Sequence, residues 1–224
     1  MVMGIRKSLY KMNKLQCAAV IASLFLITSL LYMFTQPDGT SVHMVWVPLD
    51  DMIPFLPAFV LPYVIWYVYV PLPMLYFLFT DRRALLRQTV ELFAGVAICI
   101  IVFLLYPTGI DFRPAADPKN GFFEFVLWLI FKNDKPLNCC PSLHCYEAVI
   151  AHLAAFGNSD ILRNKAKAAK VGSMFVCILI CLSTVFIKQH SIVDSVIGVL
   201  LAIGVHFAFG AIFKRSDRKQ MAVV

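Results

Sequence analysis

Hydrophobic residues along the chain are grouped into six long runs that are separated by shorter polar segments. The runs cover Leu15–Phe34, Phe55–Phe79, Val90–Tyr106, Leu143–Phe156, Val171–Ile187 and Ile192–Phe213. A helix needs about 20 predominantly apolar residues to cross the hydrocarbon core of a bilayer. The pattern therefore predicts an all-α, polytopic membrane protein built as a six-transmembrane helix bundle.

Three parts of this pattern are irregular. The second run contains four prolines between Pro57 and Pro73, which predicts a kinked or partly interfacial element. The fourth run is short, and we expect its helix to extend past Phe156. In the loop before it, the apolar segment Phe122–Phe131 contains Glu124. That combination predicts a helix lying in the membrane interface.

Composition supports a membrane protein without a separate soluble domain. Hydrophobic residues make up 60% of the 224 residues and charged residues 15%, and the mean hydropathy is +0.78. A soluble domain would not carry this balance. We expect residues 1–224 to form a single integral-membrane domain. The first run follows basic residues as a signal peptide would, but it is long enough to span and lacks a cleavage site, which predicts a retained helix.

Basic residues are distributed unevenly between the two sides that a six-span layout defines. One side carries fifteen of the twenty Lys and Arg residues, namely Arg6, Lys7, Lys11, Lys14, Arg82, Arg83, Arg87, Arg163, Lys165, Lys167, Lys170, Lys214, Arg215, Arg218 and Lys219. The positive-inside rule places this side, with both termini, in the cytoplasm. The net charge of +7 is then mainly a topology signal. No soluble basic domain remains for nucleic-acid binding.

Two short polar segments carry the candidate chemistry. Cys140-Pro141-Ser142-Leu143-His144 opens the fourth run, and Lys188-Gln189-His190-Ser191-Ile192-Val193-Asp194 opens the sixth. The two histidines are 46 residues apart, a distance that two spans of about 20 residues and a short turn would fill. Both are therefore expected on the same, non-cytoplasmic face, together with Arg113. Ionisable groups beside a span are costly and are functional candidates by default.

These residue types together suit phosphoryl transfer. His190 and Asp194 are four residues apart on one helix face, so the carboxylate can fix the tautomer of a nucleophilic imidazole. His144 would supply a second imidazole for proton transfer. The remaining candidates, Arg113, Ser142 and Lys188, would bind the phosphate by charge and hydrogen bonding. No cofactor is expected.

At these residues the chain resembles the type 2 phosphatidic acid phosphatase superfamily. Pro141-Ser142-Leu143-His144 is similar to its central Pro-Ser-x-His motif, and His190-x-x-x-Asp194 is similar to the end of its third motif. Phe112-Arg113-Pro114 resembles the end of its first motif, which closes with Arg-Pro. The order of the motifs and the six-helix layout also match, from about Tyr106 to Gly198.

The resemblance implies metal-independent hydrolysis of a lipid phosphate or diphosphate through a phosphohistidine. His190 would be the nucleophile, Asp194 its orienting partner and His144 the acid that protonates the leaving alkoxide. Arg113 and Ser142 would bind the phosphate. The substrate would reach the site from the lipid bilayer at the extracytoplasmic face.

The chain departs from the family pattern at two cations. The family's first motif begins with lysine where this chain has Tyr106, and its third motif has Ser-Arg where this chain has Ser183 and Thr184. Lys188 is a candidate to replace one of them. The pattern around Lys188 resembles the branch that includes inositol phosphorylceramide synthases, which pass a phosphoryl headgroup to an alcohol. Phosphatase and phosphotransferase both stay open, as does a transporter or lipid-binding protein with a degenerate site.

Other interpretations of single residues remain open. Arg113 could anchor the chain at the lipid surface, Lys188 could extend towards the headgroups, and Ser142 could cap a helix. Asp50 is expected to have mainly a structural role. Glu147 lies one turn beyond His144 and would either tune the pKa of that histidine or pair with another helix. Cys139, Cys140 and Cys145 flank the site, where one disulfide is possible and zinc binding is disfavoured because no CxxC pair is present. A metal-dependent hydrolase with His144, His190 and Asp194 as ligands is disfavoured by the neighbouring Arg113 and Lys188.

Overall fold

A computed structural model of the chain describes residues 12–37, 42–158 and 167–221, with the backbone alone at residues 158 and 214–221. The helices are α1 (Lys14–Phe34), α2 (Pro48–Met52), α3 (Val60–Tyr69), α4 (Pro71–Thr80), α5 (Arg82–Leu105), α6 (Phe122–Asn133), α7 (Leu143–Asn158), α8 (Lys167–Phe186) and α9 (Ile192–Met221). A 3-10 turn covers Pro57–Phe59, and the two short strands are β1 (His43–Met44) and β2 (Thr108–Gly109).

Five helical segments in the described ranges are long and apolar enough to cross a membrane, as expected for a multi-pass membrane protein. They are Lys14–Phe34, Pro57–Thr80, Arg82–Leu105, Lys167–Phe186 and Ile192–Phe213. Five of the six predicted runs are therefore found as helices of sufficient length. The third begins eight residues earlier than the predicted Val90, because polar residues from Arg82 onwards continue the helix.

The fourth predicted span is α7, and its 16 described residues are fewer than the other five segments have. The helix continues past Phe156, as expected, to Asn158, the last residue before the gap in the description. The six-span count therefore stays a prediction. Several basic residues used for the orientation, Arg6, Lys7, Lys11, Arg163 and Lys165, lie outside the described residues.

The proline-rich second run is interrupted, as the sequence predicts. Its helix stops at Tyr69 and resumes at Pro71, with Val70 between the two segments. Proline has no backbone N–H and its ring disturbs the preceding turn, so Pro71 is tolerated as the first residue of α4. In the loop before α7, the segment Phe122–Phe131 lies within α6; its location in the membrane interface stays a prediction.

Helix α7 lies at the centre of the bundle, packed against α5, α8 and α9. Four of its alanines, Ala148, Ala151, Ala154 and Ala155, are buried. Small side chains let neighbouring helix backbones approach closely. Because protein surrounds α7, this helix can be less apolar than those that face the outside. In contrast, Cys17 is the buried residue of α1, which packs at the edge.

Several polar groups inside the bundle are paired with one another, although the fully buried Gln88 side chain has no hydrogen-bond partner among the described residues. His206 Nδ1 lies 2.9 Å from Glu91 Oε2, and Arg87 Nε donates to Glu91 Oε1 at 2.7 Å. His152 Nδ1 lies 3.0 Å from Ser173 Oγ. His152 and His206 therefore have hydrogen-bonding roles inside the bundle, and both groups lie away from the two motifs.

The loops that carry the motifs meet at one end of the bundle. The strands β1 and β2 pair in parallel there, with His43 opposite Thr108. The N–H of Leu56 donates to the Phe186 carbonyl at 2.9 Å, which joins the start of the second span to the end of α8. These contacts bring sequence-distant loops around the N-termini of α7 and α9.

Candidate active site

The turn that carries His190 is fixed by a helix C-terminal motif. Lys188 has a left-handed φ of 55°. Its N–H donates to the Val185 carbonyl at 3.1 Å, and the N–H of Gln189 donates to the Thr184 carbonyl at 2.9 Å. This is the hydrogen-bond pattern of a Schellman motif, in which glycine usually occupies the left-handed position. The His190 N–H also donates to Thr184, at 3.1 Å, so the backbone position of the histidine is determined by α8.

Asp50, in the short helix α2, holds the other side of this turn. Its side chain is buried, and its carboxylate accepts hydrogen bonds from Ser191 Oγ at 2.7 Å, the Ile192 N–H at 2.9 Å and the Val47 N–H at 3.0 Å. Lys188 Nζ donates to the Asp50 carbonyl oxygen at 2.5 Å. Asp50, which is about 140 positions away in the sequence, therefore binds residues on both sides of His190. The structural role expected for Asp50 agrees with these contacts.

His144 lies in the first turn of α7. The helix begins at Leu143, and Ser142 Oγ accepts a hydrogen bond from the Cys145 N–H at 3.4 Å, the position of an N-cap. A proline just before a helix is typical of its first turn and would predict that Pro141 opens this helix. That prediction is wrong, because the helix begins at Leu143 and Pro141 precedes the cap. The capping hydrogen bond of Ser142 gives this residue a structural role, and phosphate binding by Ser142 stays a prediction.

The two motifs are joined by a close contact between α9 and the start of α7. The Ser142 N–H donates to the Asp194 carbonyl at 3.0 Å. A Cβ atom at Gly198 would lie 2.5 Å from the Ser142 carbonyl oxygen, so only glycine permits this approach without a shift. As a result the imidazole centroids of His144 and His190 are 5.9 Å apart, with the ring planes at 60°.

His190 and Asp194 form a buried pair within α9 and the turn before it. Nδ1 of His190 lies 3.5 Å from Oδ2 of Asp194, which is too long for a hydrogen bond. Neither Nδ1 nor Asp194 Oδ1 has a hydrogen-bond partner among the described residues, whereas Oδ2 accepts from the Ser191 N–H at 3.0 Å. Burial alone would lower the pKa of His190, but the neighbouring Asp194 carboxylate outweighs it and raises that pKa above its ordinary value.

Both histidines line one cavity of about 480 Å³. Its walls come from α1, α3, α6, α7 and the segments that follow α6 and α8. The ring of His144 packs against Tyr63 and Trp66, with centroid distances of 4.5 and 4.4 Å. The imidazole of His144 is thereby supported from the side that faces α3.

Asp134 is a cavity residue that no motif in the sequence singles out. Its carboxylate accepts from Gln189 Nε2 at 2.6 Å and from the Tyr32 hydroxyl at 3.2 Å. Burial raises the pKa of Asp134 above its ordinary value, and the nearby His190 and Arg113 act in the opposite direction. Gln189 lies inside the third motif but was assigned no role. The signal for Asp134 was weak, because it is a single polar residue in a polar loop.

Of the predicted phosphate-binding groups, none is among the described residues that line the cavity. Arg113 Nη1 donates to Gln189 Oε1 at 2.8 Å and to the Asp134 carbonyl at 2.9 Å, and its guanidinium lies 4.4 Å from the Phe131 ring centroid. Arg113 is therefore directed at the groups behind the cavity. Lys188, buried and bound to Asp50, is not snorkelling to the surface.

The two positions where the family's cations are missing have other roles here. Tyr106 is half-exposed and stacks on His43, with a centroid distance of 3.8 Å. Thr184 is fully buried and donates from Oγ1 to the Cys181 carbonyl at 2.7 Å. Neither side chain supplies a positive charge.

One set of donor atoms could approach a metal ion. Atoms of Cys139, His190 and Asp194 lie within 4.8 Å of one another. Burial raises the pKa of the Cys139 thiol, which favours the protonated form that binds metals poorly. All seven cysteines are free thiols, so the structure contains no disulfide between Cys139, Cys140 and Cys145.

Comparison with known proteins identifies a family match. Residues 111–218 match the family model of the PAP2 superfamily, and this match supports assignment to that superfamily. The matched range includes the three sequence motifs, from Arg113 to Asp194. Searches of curated proteins and of solved structures gave no match.

Proposed function

We propose that this chain is a PAP2 superfamily enzyme, a phosphoric-ester hydrolase or phosphotransferase that acts on membrane lipids. The family match over residues 111–218 suggests activity on phosphate esters. Helices long enough to cross a membrane make a lipid the natural source of that ester. The proposed branch, close to lipid phosphate phosphatases and inositol phosphorylceramide synthases, rests on the motif around Lys188.

The main support is the placement of two imidazoles on one cavity. His144 and His190 have ring centroids 5.9 Å apart, and His190 has a buried carboxylate 3.5 Å from Nδ1. A tetrahedral phosphoryl group between the rings could be attacked from one side and protonated on the other. If the Asp194 carboxylate moved closer to His190 by less than about 1 Å, it would form the hydrogen bond that fixes the His190 tautomer. Catalytic hydrogen bonds are often long before substrate binds.

The proposed reaction has two balanced steps. First, Nε2 of His190 attacks phosphorus, the bond from phosphorus to the leaving oxygen breaks, and His144 gives its proton to that oxygen. Then water or an alcohol attacks the phosphohistidine, His144 takes the proton of the attacking hydroxyl, and the nitrogen–phosphorus bond breaks. Arg113 would stabilise the charge on the phosphoryl oxygens, whereas Ser142 and Lys188 would first have to leave their present partners, the Cys145 N–H and the Asp50 carbonyl.

Arg113 has the groups needed for this role. Both of its hydrogen bonds to described residues leave from Nη1. The guanidinium has five N–H donors, so the others could bind phosphate oxygens while Nη1 keeps its present partners. We propose no resident metal, and the site is proposed to face the extracytoplasmic side because most basic residues belong to the opposite side.

The proposal is tested with purified protein and a panel of lipid phosphates. His190→Ala should abolish turnover while the protein stays folded. His144→Ala should slow turnover severely, and least for substrates with good leaving groups, because those need no proton. Activity that persists in the His190→Ala protein would exclude the mechanism.

Two further measurements separate the remaining possibilities. Following both released phosphate and new lipid, with candidate alcohols added, distinguishes hydrolysis from transfer. Treatment with EDTA should leave the rate unchanged, and a loss that added metal restores would indicate metal chemistry at Cys139, His190 and Asp194. The absence of turnover on the whole panel, without vanadate binding, would favour a transporter or binding protein.

A further inference from the structure

Gln189 connects the Arg113 guanidinium with the wall of the cavity. Its Oε1 accepts from Arg113 Nη1 at 2.8 Å, and the residue also lines the cavity that both histidines share. Arg113 itself is not among the described residues of the cavity wall. Because Gln189 directly precedes His190 in the chain, a group that bound the Gln189 side chain in the cavity would lie close to the proposed nucleophile.

The two partners of the Gln189 amide fix its orientation. Nε2 donates to Asp134 Oδ2 at 2.6 Å, while Oε1 accepts from Arg113. A guanidinium can only donate hydrogen bonds, and an ionised carboxylate can only accept them. If the amide were rotated by half a turn, its NH2 group would face Arg113, its carbonyl oxygen would face Asp134, and both hydrogen bonds would be lost. The NH2 group therefore lies on the side of Asp134.

Contacts from three parts of the chain hold this amide in place. The backbone N–H of Gln189 donates to the Thr184 carbonyl at 2.9 Å, and the residue is buried. Asp134 is held in turn by the Tyr32 hydroxyl of α1, which donates to Oδ1 at 3.2 Å, and by Arg113, which donates to the Asp134 carbonyl at 2.9 Å. A side chain held in this way is preorganised, so little conformational freedom is lost when it binds a ligand.

One donor of the Gln189 amide is left without an acceptor. The NH2 group has two N–H bonds, and Asp134 accepts from one of them. The other makes no hydrogen bond with the side chains and backbone that the structure describes in 12–37, 42–157 and 167–213. A buried donor without an acceptor is costly, and an oxyanion in the cavity would supply one. The hydrogen bond from Arg113 to Oε1 polarises the amide and strengthens this donor.

We propose that Gln189 is a phosphate-binding residue, whose second amide N–H donates to a phosphoryl oxygen of the substrate beside His190. The positive charge of Arg113 acts on that oxygen through the amide, and Asp134 keeps the amide in the orientation that presents its NH2 group. Gln189 thereby supplies part of the stabilisation that the family's missing cations would give, without another buried charge. The inference rests on the proposed function for the identity of the ligand, a phosphate ester.

Two substitutions of Gln189 test the donor. Gln189→Met removes the amide, and Gln189→Glu keeps an acceptor for Arg113 but has no N–H. Each should lower kcat/KM for the best lipid phosphate of the panel, and weaken binding of orthovanadate, by about 10- to 100-fold, the effect of one hydrogen bond to a charged group. The matched control is Gln16→Glu, which lies outside the cavity in the capping box of α1, where glutamate makes the same hydrogen bond; it should change neither quantity. Unchanged kcat/KM and vanadate affinity in both Gln189 variants would overturn the proposal.

A double variant separates phosphate binding from a purely structural role. In Asp134→Asn/Gln189→Glu the amide and the carboxylate exchange positions, so the net charge is that of the wild type. The amide at position 134 can donate to the carboxylate at position 189, which still accepts from Arg113, and the thermal stability lost in Gln189→Glu should return. Activity and vanadate binding should stay low, because position 189 has no N–H. Recovery of activity together with stability would show that Gln189 is only structural and would overturn the proposal.

Titration calorimetry with orthovanadate keeps this inference separate from the proposed reaction, because binding needs no turnover. Vanadate binding that Gln189→Met weakens, in a protein without turnover on the whole panel, would reject the proposed function and retain the site. Turnover with vanadate binding that is insensitive to Gln189→Met would reject the site and retain the function. The absence of both turnover and vanadate binding in the wild-type protein would reject both.

Discussion

Asp50 provides the most direct test of how the active-site turn is held together. In Asp50→Asn the side chain keeps its shape, but an NH2 group, which can only donate hydrogen bonds, replaces one of the two carboxylate oxygens. At present that carboxylate accepts hydrogen bonds from the Val47 N–H, Ser191 Oγ and the Ile192 N–H at 2.7 to 3.0 Å. In either amide orientation, at least one backbone N–H faces a second donor.

The expected loss follows from these contacts. A hydrogen bond to a charged group contributes about 1.5–3 kcal/mol, and a buried donor left without an acceptor costs about 1–3 kcal/mol. Since the Ser191 hydroxyl can rotate to accept, we expect a net destabilisation of roughly 2–4 kcal/mol. Because His190 directly precedes Ser191, kcat should also fall by about tenfold for every 1.4 kcal/mol by which the transition state is raised.

The assay compares Asp50→Asn with its neighbour Asp51→Asn. Asp51 is exposed and accepts one hydrogen bond, from Trp46 Nε1 at 3.1 Å, so its substitution should change stability by no more than about 0.5 kcal/mol. Reversible unfolding in mixed micelles gives the free energy of unfolding, and initial rates give kcat. The reasoning would be refuted if both variants had the same stability and the same kcat.

Three further predictions address the parts of the site separately. Asp194→Asn should move the acidic limb of the pH profile of kcat/KM to lower pH, because the carboxylate that raises the pKa of His190 is gone. If the acidic limb did not move, it would not report the ionisation of His190. Gly198→Ala should lower kcat by roughly 100-fold, as expected for a misplaced catalytic group, while Gly204→Ala on the same helix, with open space around it, should be neutral. Lys188→Gly should be more stable than Lys188→Ala by about 1 kcal/mol, because glycine adopts the left-handed conformation without a steric penalty, and equal thermal stabilities would contradict that account.

Helical spans and their order were predictable because hydrophobic runs report directly on burial in lipid or protein. The end of the bundle where the motifs meet followed from the 46 residues between His144 and His190. The length of α7 was harder to predict, since this helix is surrounded by other helices and carries small residues. Its apolar run, Leu143–Phe156, is therefore shorter than the runs of the helices around it, although α7 is the central helix of the bundle.

The supporting contacts could not be derived from the sequence. Asp134 meets Tyr32 and Gln189 across 102 and 55 residues, respectively. Such contacts depend on how loops cross above the helices, and no local pattern encodes that. The same reason explains why Arg113 and Lys188, whose residue types suit phosphate, are directed at Gln189 and Asp50 instead of at the cavity.

The most direct test of the proposed mechanism is to trap the covalent intermediate. The His144→Ala protein is mixed with p-nitrophenyl phosphate, quenched in alkali within milliseconds and analysed by peptide mass spectrometry. A good leaving group needs no acid, but the attack of water still needs the missing base, so a phosphohistidine adduct should accumulate at His190. Release of p-nitrophenol without any adduct on the peptide that contains residue 190 would contradict the account.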